Sequence, residues 1–370
     1  MFWKIVNLKT STIDIFCRVI DNFGDIGVCW RLAQSFPTSY QIRLWVDDLK
    51  SFNKIEPELN PKLSQQFLKT IEIRHWHPHI DCWQAADLVI EAFACDLPTS
   101  YQEAMKGKTR CWLNLEYLSA EPWVEGYHLQ PSIQPNGVPK YFFFPGFSEK
   151  TGGLLRLQQG LKDSAAAFLN TLLSPAGAAY YEEKKPLLIN LFCYPHAPLE
   201  ALLRALTNTP EVMIIVAESV APQLETLAKR LNSQAHIERI DFIVQRDYEQ
   251  LLQVADINFI RGEDSFVQAH WAAKPMLWHI YPQAEAHHMV KLEAWLDTIQ
   301  APEWLRQLHR LWNQNLAQEA LIQQLQGHAF DNSARLVWQD FQAALSKRLS
   351  LLPDLSQQIL NFYEDCAKKS

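Results

Sequence analysis

The stretch that decides the fold class is residues 13–36, IDIFCRVIDNFGDIGVCWRLAQSF. Ile13–Ile20 is a short apolar run, which predicts a buried strand. Asp21–Gly27 interrupts this pattern, and Val28–Phe36 resumes with the spacing of a helix. A strand, a loop and a helix in this order predict the first β-α unit of a parallel sheet.

The alternation of strands and helices continues along most of the chain. Further strands are predicted at Gln41–Val46, Ile71–Trp76, Asp87–Ala92, Cys111–Tyr117, Leu187–Phe192, Val212–Val216, Ile237–Phe242, Ile257–Ile260 and Met276–Ile280. Further helices are predicted at Pro61–Leu68, Pro98–Met105, Pro198–Leu206, Ala221–Leu231, Asp247–Val254 and Asp264–Ala273. This spacing predicts βαβ units in two parallel α/β domains, followed by a tail of helical composition from Glu285.

An interruption separates the two series of strands and helices. Gln130–Gly153 holds four prolines and four glycines, the strongest breakers of regular structure. We therefore expect an interdomain region there, between Rossmann-like domains at residues 1–150 and 151–344. Open parallel sheets bind ligands at the carboxyl ends of their strands, so the loops that follow strands are the expected places for a site.

The composition excludes several classes of protein. With 34 Lys and Arg against 41 Asp and Glu, the net charge of −7 argues against a nucleic-acid-binding surface. The 48% of hydrophobic residues excludes disorder for the bulk of the chain. No apolar run is long enough for a membrane span, and Met1–Thr12 lacks the features of a signal peptide. None of the seven cysteines forms a Cys-x-x-Cys pair, which argues against a zinc ribbon and favours a cytosolic protein with reduced thiols.

The loop Asp21–Gly27 carries two carboxylates and two glycines between the first strand and the first helix. It lacks the Gly-x-Gly-x-x-Gly spacing of a dinucleotide site and the lysine of a phosphate-binding P-loop. Carboxylates repel phosphate, so Asp21 and Asp25 would face a cation or supply a general base. The alternative is an ordinary turn in which Asp25 caps the helix.

A second loop starts at Arg261, after a predicted strand and before a predicted helix. Arg261 offers a forked cation that matches phosphate oxygens, and Gly262 permits close approach of a ligand to the backbone. Glu263, Asp264 and Ser265 occupy the expected first turn of the helix, whose N–H groups favour an anion such as a nucleotide diphosphate. The alternative is that Asp264 or Ser265 merely caps the helix.

A third group of residues is aromatic and lies at strand ends of the second domain. Phe192 and Tyr194 end one predicted strand, while Phe242, Gln245 and Tyr281 follow two others. Rings in these positions can stack on a base, and a glutamine can hydrogen-bond the polar edge of a pyrimidine. The alternative is that these side chains belong to the core.

A run of alternating histidines, His75, His77 and His79, precedes Cys82 and raises the possibility of a metal site. Pro78 interrupts the run and no acidic ligand is in phase with it, so polar packing is the favoured interpretation. No Asp-x-Asp occurs near a strand end to hold a metal–diphosphate pair. The sequence therefore favours a donor site without a metal ion, and no cofactor is expected.

Three segments together resemble a known family. They are DNFGDIGVCWR at 21–31, FIRGEDS at 259–265 and WHIYPQ at 278–283, and the resemblance to the EarP family extends over essentially the whole chain. EarP proteins are bacterial protein-arginine rhamnosyltransferases that modify translation elongation factor P. The resemblance implies an α/β fold of the GT-B glycosyltransferase type, with two facing Rossmann-like domains and a C-terminal helical tail. It also implies dTDP-β-L-rhamnose as donor and inversion at the anomeric carbon.

The resemblance further implies roles for individual residues. Asp25 would be the general base, with Asp21 beside it and Glu263 as another catalytic carboxylate. Arg261 and the helix start that follows it would stabilise the dTDP leaving group. The donor-binding residues implied are Asn22, Phe23, Gly24, Phe192, Tyr194, Phe242, Gln245, Arg261, Gly262, Glu263, Asp264, Ser265 and Tyr281. A helix at about 345–370 is expected to return to the first domain.

Two other functions are compatible with tandem α/β domains. A nucleotide-sugar epimerase would convert the donor without any protein acceptor, and a noncatalytic nucleotide-sugar sensor would bind the donor without turnover. For the glycosyltransferase, the expected partners are elongation factor P and dTDP-rhamnose in the cytoplasm, with no nucleic acid and no membrane.

Overall fold

The computed structural model describes residues 11–20, 23–77, 84–156, 164–314 and 316–369. The chain divides into two compact units. The first unit comprises Met1–Leu157 and Pro353–Ser370, and the second unit comprises Gln158–Leu352. Each unit contains one sheet built mainly from parallel strands.

The first unit contains an eight-stranded sheet. Its strands are β1 Thr12–Cys17, β2 Gln41–Val46, β3 Gln65–Leu68, β4 Ile71–His75, β5 Leu88–Ala92, β6 Cys111–Leu115, β7 Pro131–Ser132 and β8 Lys140–Phe143. The order across the sheet is β3-β4-β2-β1-β5-β6-β8-β7, with antiparallel pairing only for the edge strands β3 and β7. The helices between these strands are α1 Gly24–Ser35, α2 Leu49–Ile55, α3 Thr99–Ala104 and α4 Val124–Tyr127.

Helix α1 covers one face of this sheet because its apolar residues recur with helical spacing. Ile26, Cys29, Trp30 and Ala33 are all buried in the main core of the unit. The helix ends before Phe36, whose extended backbone (ψ 144°) is the conformation favoured by a residue that precedes proline. Burial of this apolar face packs α1, which follows β1 in the chain, in the main core of the unit.

The second unit contains a five-stranded sheet. Its strands are β9 Leu187–Leu191, β10 Val212–Ala217, β11 His236–Ile240, β12 Ile257–Arg261 and β13 Met276–His279. They are all parallel, in the order β11-β10-β9-β12-β13. The helices are α5 Ala165–Leu172, α6 Pro175–Lys184, α7 Leu199–Ala205, α8 Leu224–Arg230, α9 Gln245–Val254, α10 Asp264–Ala272, α11 His287–Thr298, α12 Glu303–Gln314, α13 Gln318–Gln324 and α14 Asn332–Leu349. Short 3₁₀ segments occur at Leu206–Asn208 and Ala284–Ala286, and a π-helical segment at Leu325–Phe330.

The last helix, α15 Leu355–Lys369, packs in the first unit, whereas residues 345–349 of the helix expected at about 345–370 belong to α14 of the second unit. It contributes Leu355, Ile359, Leu360 and Tyr363 to the main core, and each such burial stabilises the unit by about 2 kcal/mol. The chain reaches this position beside Gly153, whose φ is +74° and where a Cβ would lie 2.0 Å from the Pro353 oxygen. Only glycine fits that approach.

Several predicted elements are wrong in detail. Pro61–Leu68 is not a helix, because turns lead into the edge strand β3, which pairs antiparallel with β4. Gln130–Gly153 is not an interdomain region, because it carries β7 and β8 of the first sheet. Its prolines and glycines flank these short strands. The sequence pattern does not predict helices α2, α4, α5 and α6.

None of the helices in the described residues is long and apolar enough to cross a membrane.

Candidate active site

Each sheet reverses its strand order at one place. From β1 the chain proceeds to β2 on one side and later to β5 on the other; from β9 it proceeds to β10 and later to β12. Ligands of open parallel sheets bind outside the carboxyl ends of the strands at such switch points. The predicted site residues of the first unit follow β1, and those of the second unit follow β9, β11, β12 and β13.

Asp25 lies in the first turn of α1, not in a loop before the helix. The helix starts at Gly24, so the predicted loop Asp21–Gly27 extends too far. The Asp25 side chain is only 3% exposed, and its Oδ2 accepts the Ile20 N–H at 2.9 Å. The N-cap residue of this helix is Phe23, so Asp25 does not occupy the capping position that the alternative interpretation gave it. The carboxylate instead lies beside the positive end of the helix dipole, which stabilises its charge.

Tyr117 is a site residue that the sequence analysis missed. Its Oη donates to Oδ1 of Asp25 at 3.3 Å, so each oxygen of this carboxylate is oriented by a donor. The Tyr117 ring is 39% exposed and stacks on Phe93, with 4.4 Å between ring centroids. The sequence signal that could have found it is the position of Tyr117 at the end of the predicted strand Cys111–Tyr117. In the structure β6 ends at Leu115, so Tyr117 lies in the loop that follows the strand.

Of the other site residues predicted in the first loop, the structure describes Phe23 and Gly24. Phe23 precedes α1 and packs at the edge of the main core, with the Lys54 Nζ 5.7 Å from its ring centroid. Gly24 is the first residue of α1. Asp21 and Asn22 lie outside the described residues, so their roles stay predictions.

Arg261 is the last residue of β12 and lies over two of the predicted aromatic residues. Its guanidinium carbon is 4.5 Å from the ring centroid of Phe192 and 4.9 Å from that of Tyr194. Nη1 donates to the Cys193 carbonyl at 3.1 Å. Cation–π contacts and this hydrogen bond hold a permanent positive charge at the carboxyl ends of β9 and β12.

Helix α10 begins directly after Arg261. Gly262 has a φ of +74°, a conformation that glycine adopts without strain, and it directs the chain into the helix. Glu263 is the N-cap residue, so neither Asp264 nor Ser265 occupies the capping position that the alternative gave them. The N–H groups of the first turn can bind an anion.

Tyr281 and Tyr194 extend the aromatic group toward β13. Their ring centroids are 5.4 Å apart, and Tyr281 is 57% exposed. Burial lowers the pKa of His279 to about 3, which leaves its imidazole neutral near pH 7. Its Nδ1 accepts the Tyr194 N–H at 3.2 Å and so positions the backbone after β9. The alternative that these aromatics form only core fits Phe192 and Tyr194 in part, but not the exposed Tyr281.

Gln245 and Phe242 lie beyond β11. Gln245 is the first residue of α9, and its Nε2 donates to Asp264 Oδ2 at 2.9 Å, which joins it to the start of α10. Phe242 is 43% exposed in the segment before α9. The structure therefore brings Phe192, Tyr194, Gln245, Tyr281 and the Arg261–Ser265 loop to one edge of the second sheet.

The histidines and the cysteine that could bind a metal are not seen to form a metal site in the described residues. Within the described ranges no group of three or more histidine, cysteine or acidic side chains is arranged to hold a metal ion. His75 Nε2 contacts the Asp47 carbonyl oxygen at 3.0 Å, while His79 and Cys82 lie outside the described residues.

Comparisons with known proteins give consistent results. The family model for "Elongation-Factor P (EF-P) rhamnosyltransferase EarP" matches residues 13–364. A protein-arginine rhamnosyltransferase of Pseudomonas putida is 40% identical over 391 aligned positions, which cover 96% of this chain and 99% of the relative. A solved structure concerned with EarP-mediated arginine glycosylation of translation elongation factor EF-P has 27% identity and a TM-score of 0.57, with 96% and 99% of the two chains covered.

A second solved structure, a spinosyn rhamnosyltransferase complexed with thymidine diphosphate, shares the fold at 10% identity. Its TM-score is 0.51, over 95% of this chain and 99% of that one. The two sheets with their switch points and these likenesses confirm the expected GT-B glycosyltransferase fold. From the match of the family model over nearly the whole chain and the full-length likeness to protein-arginine rhamnosyltransferases, we conclude that this chain belongs to the EarP family of elongation factor P rhamnosyltransferases.

Proposed function

We propose that this enzyme transfers rhamnose from dTDP-β-L-rhamnose to an arginine side chain of translation elongation factor P, with inversion at the anomeric carbon. The observation that carries the proposal is the opposite charge of the groups at the two switch points. The first unit presents the buried carboxylate of Asp25, and the second presents Arg261 beside the start of α10. A carboxylate suits a guanidinium acceptor, and a cation beside the positive end of a helix dipole suits a diphosphate leaving group.

The donor is assigned to the second unit. Arg261 and the first turn of α10 would bind the diphosphate, because both supply donors and positive charge. Tyr194, Tyr281 and Phe242 offer rings for the thymine or the sugar. Gln245, which is oriented by Asp264, can hydrogen-bond the pyrimidine edge.

The acceptor is assigned to the first unit. A guanidinium is a poor nucleophile because its lone pairs are delocalised, and Asp25 would bind it and localise its charge. As the arginine nitrogen forms a bond to C1 of rhamnose, the bond from C1 to the diphosphate oxygen breaks. The nitrogen's proton passes to Asp25, and the electron pair of the broken bond leaves with dTDP. Arg261 and the α10 N–H groups stabilise the negative charge that develops there.

Three further parts belong to the proposal. Asp21 and Glu263 would be additional carboxylates near the sugar, where positive charge develops in the transition state. Asn22, Phe23 and Gly24 would contact the donor from the start of α1. The reaction would need no metal ion and would take place in the cytoplasm, where translation occurs.

Intact-mass analysis of elongation factor P, incubated with the enzyme and dTDP-rhamnose in EDTA, tests this function. A gain of one deoxyhexose on the protein supports transfer. Conversion of the free nucleotide sugar without modified protein would indicate an epimerase, and donor binding without either product would indicate a sensor. Modification that requires an added divalent cation would contradict the metal-independent site.

The acceptor should be recognised as an arginine displayed on a folded protein. Replacing the target arginine of elongation factor P with lysine keeps the charge but removes the planar fork that a carboxylate grips, so we expect negligible transfer. Free arginine should also be a poor substrate, because it lacks the remote contacts that position the reacting nitrogen. Efficient rhamnosylation of either one would refute this mode of recognition. Donor binding, measured by calorimetry, should be the same with either acceptor.

A further inference from the structure

A pocket of about 510 Å³ lies in the first unit, outside the residues assigned so far. Its described lining consists of Arg18, Asp47, Trp76 and the segment Asp96–Ser100. These residues follow β1, β2, β4 and β5, the four strands that meet around the switch point of the sheet. The pocket therefore opens at the edge of the sheet where Asp25 lies, although Asp25 does not line it.

The charged groups of the pocket favour a cationic occupant. Asp47 Oδ1 accepts the Val19 N–H at 2.9 Å, and its Oδ2 has no hydrogen bond with the residues that the structure describes. Asp96 is exposed. The one cation of the described lining, Arg18, lies 5.3 Å from the centroid of the buried Trp76 ring. Two carboxylates against one ring-bound guanidinium repel phosphate and attract an ammonium or a second guanidinium.

The backbone links this pocket to the proposed base. Asp47 binds the N–H of Val19, and Asp25 binds the N–H of Ile20 at the same distance of 2.9 Å. Successive residues are about 3.8 Å apart, so the two bound carboxylate oxygens lie within about 10 Å of each other. Side chains of residues two or three positions apart in an extended segment span about this distance. A protein segment with its target arginine at Asp25 can therefore place a second side chain in the pocket.

We propose that the pocket is a second acceptor subsite, which binds a lysine or arginine side chain of elongation factor P close to the target arginine. This inference rests on the proposed function and adds to it a reason why a folded acceptor is preferred over free arginine. The cation would lie between Asp47 and Asp96, with its aliphatic stem against Trp76. The contact would strengthen binding of the folded acceptor without acting on the reacting nitrogen, so its loss should appear in KM and not in kcat.

The test is the double variant Asp47→Asn, Asp96→Asn. An asparagine at 47 keeps an oxygen for the Val19 N–H, and asparagine tolerates the left-handed backbone of residue 96 (φ 56°). At saturating dTDP-rhamnose, we expect the KM for elongation factor P to rise about tenfold while kcat stays within about twofold. The matched control is Asp365→Asn, which removes an exposed carboxylate from α15 and should change neither constant. A KM of the double variant within twofold of the original enzyme would overturn the proposal.

A second arm keeps the test decisive if the double variant fails to fold. Asp96→Asn alone leaves the Asp47 contact intact and should raise the acceptor KM about threefold. On the acceptor, changing each lysine or arginine near the target to glutamine should identify one position that raises KM to the same extent. The same glutamine substitution in the acceptor should raise KM little further when the enzyme is the double variant, because the contact is already lost. If no such position exists, the subsite does not bind a cation.

Binding without donor separates this inference from the proposed function. Calorimetry gives the affinity of the original enzyme and of the double variant for elongation factor P. The difference measures the contribution of the pocket to binding even if no sugar is transferred. Absent transfer by the original enzyme would refute the function. Equal affinity of the two proteins for elongation factor P would refute the subsite.

Discussion

At the switch point of the first unit the functional group is a carboxylate, and at that of the second unit it is a guanidinium. Asp25 is 3% exposed, lies one residue into a helix, and has its two oxygens oriented by a backbone N–H and a tyrosine. Arg261 ends a strand, lies over two rings and directly precedes the first turn of a helix. The same sheet topology thus places a negative group at one switch point and a positive group at the other. The sign of the charge is determined by the few residues that follow the strand. We therefore expect that a change of the charge at Asp25 leaves donor binding intact, and that a change at Arg261 leaves acceptor binding intact.

The largest effect is expected for Asp25→Asn. Asparagine keeps an acceptor for the Ile20 N–H, so the fold should persist, but it cannot take a proton from the arginine nitrogen. We expect transfer to fall about 10³-fold, within the usual range for loss of a general base, while the donor dissociation constant stays within about twofold. Turnover is measured by intact mass and donor binding by calorimetry. Turnover near that of the original enzyme would refute the base role, and a large loss of donor affinity would break the division between the two units.

Arg261→Lys should affect the other site. Lysine keeps the charge but cannot form the planar fork or spread over the rings of Phe192 and Tyr194. We expect donor affinity to fall about 30-fold, with binding of elongation factor P alone unchanged. Arg230→Lys, on the surface of α8 in the same unit, is the matched control and should have no effect. Donor affinity retained in Arg261→Lys would show that the helix start alone binds the diphosphate.

The second unit should be more sensitive to acid than the first, where, among the described residues, burial lowers the pKa of one histidine, His128, to about 4. In the second unit, burial lowers the pKa of His270 to about 4 and the pKa values of His279 and His309 to about 3. The unfolded chain, with an ordinary histidine pKa of 6.5, binds protons that these native imidazoles do not, so stability is lost as pH falls below 6.5. Each buried imidazole should contribute a loss of about 2 kcal/mol between neutral pH and pH 5. Urea unfolding at pH 7 and pH 5 measures this change.

His309→Leu isolates one of these groups. Neither ring nitrogen of His309 has a partner among the described residues, so leucine removes a buried polar group as well as the titration. The pH dependence of the unfolding free energy should become shallower by about 2 kcal/mol over the same range. The exposed His287, changed to glutamine, is the control and should leave the dependence as it was. An unaltered pH dependence in His309→Leu would show that this histidine is not a source of the acid sensitivity.

The smallest effect is expected for Tyr117→Phe. Phenylalanine keeps the stacking on Phe93 but loses the hydrogen bond to Asp25, which is worth about 1 kcal/mol. We expect kcat/KM for elongation factor P to fall about fivefold to tenfold, with donor affinity unchanged. Tyr127→Phe, at an exposed tyrosine of α4, provides the control. A variant as active as the original enzyme would show that the Tyr117 hydroxyl is not needed to orient the carboxylate.

How much the sequence predicts depends on the range over which its signals act. The strand Gln41–Val46 is predicted with both ends correct, because four of its six residues are apolar and buried in a central strand. Pro61–Leu68 was misassigned because an edge strand such as β3 is defined by its pairing with β4 and is half exposed. The local sequence pattern therefore predicts a strand that is fully buried. It does not predict a strand whose formation depends on pairing with a segment elsewhere in the chain.

The candidate site follows the same rule. Arg261, Glu263 and Asp264 were placed correctly at a strand end and a helix start, since both boundaries are local. The contact of Tyr117 with Asp25 joins residues 92 positions apart, and no spacing in the sequence encodes it. The predicted pairing of Asp25 with Asp21 stays a prediction, because Asp21 lies outside the described residues.

The packing of α15 in the first unit has a consequence for how the protein is made. Leu355, Ile359 and Tyr363 fill a core whose strands lie within the first 157 residues, so the ribosome delivers the rest of the chain before that core can close. At about 5–20 residues per second, synthesis of residues 158–352 takes on the order of 10–40 s. During this interval the core of the first unit lacks the apolar side chains of α15, which leaves apolar surface of the nascent chain exposed to chaperones and to association with other chains. The domain that is translated first is thus the last to be completed.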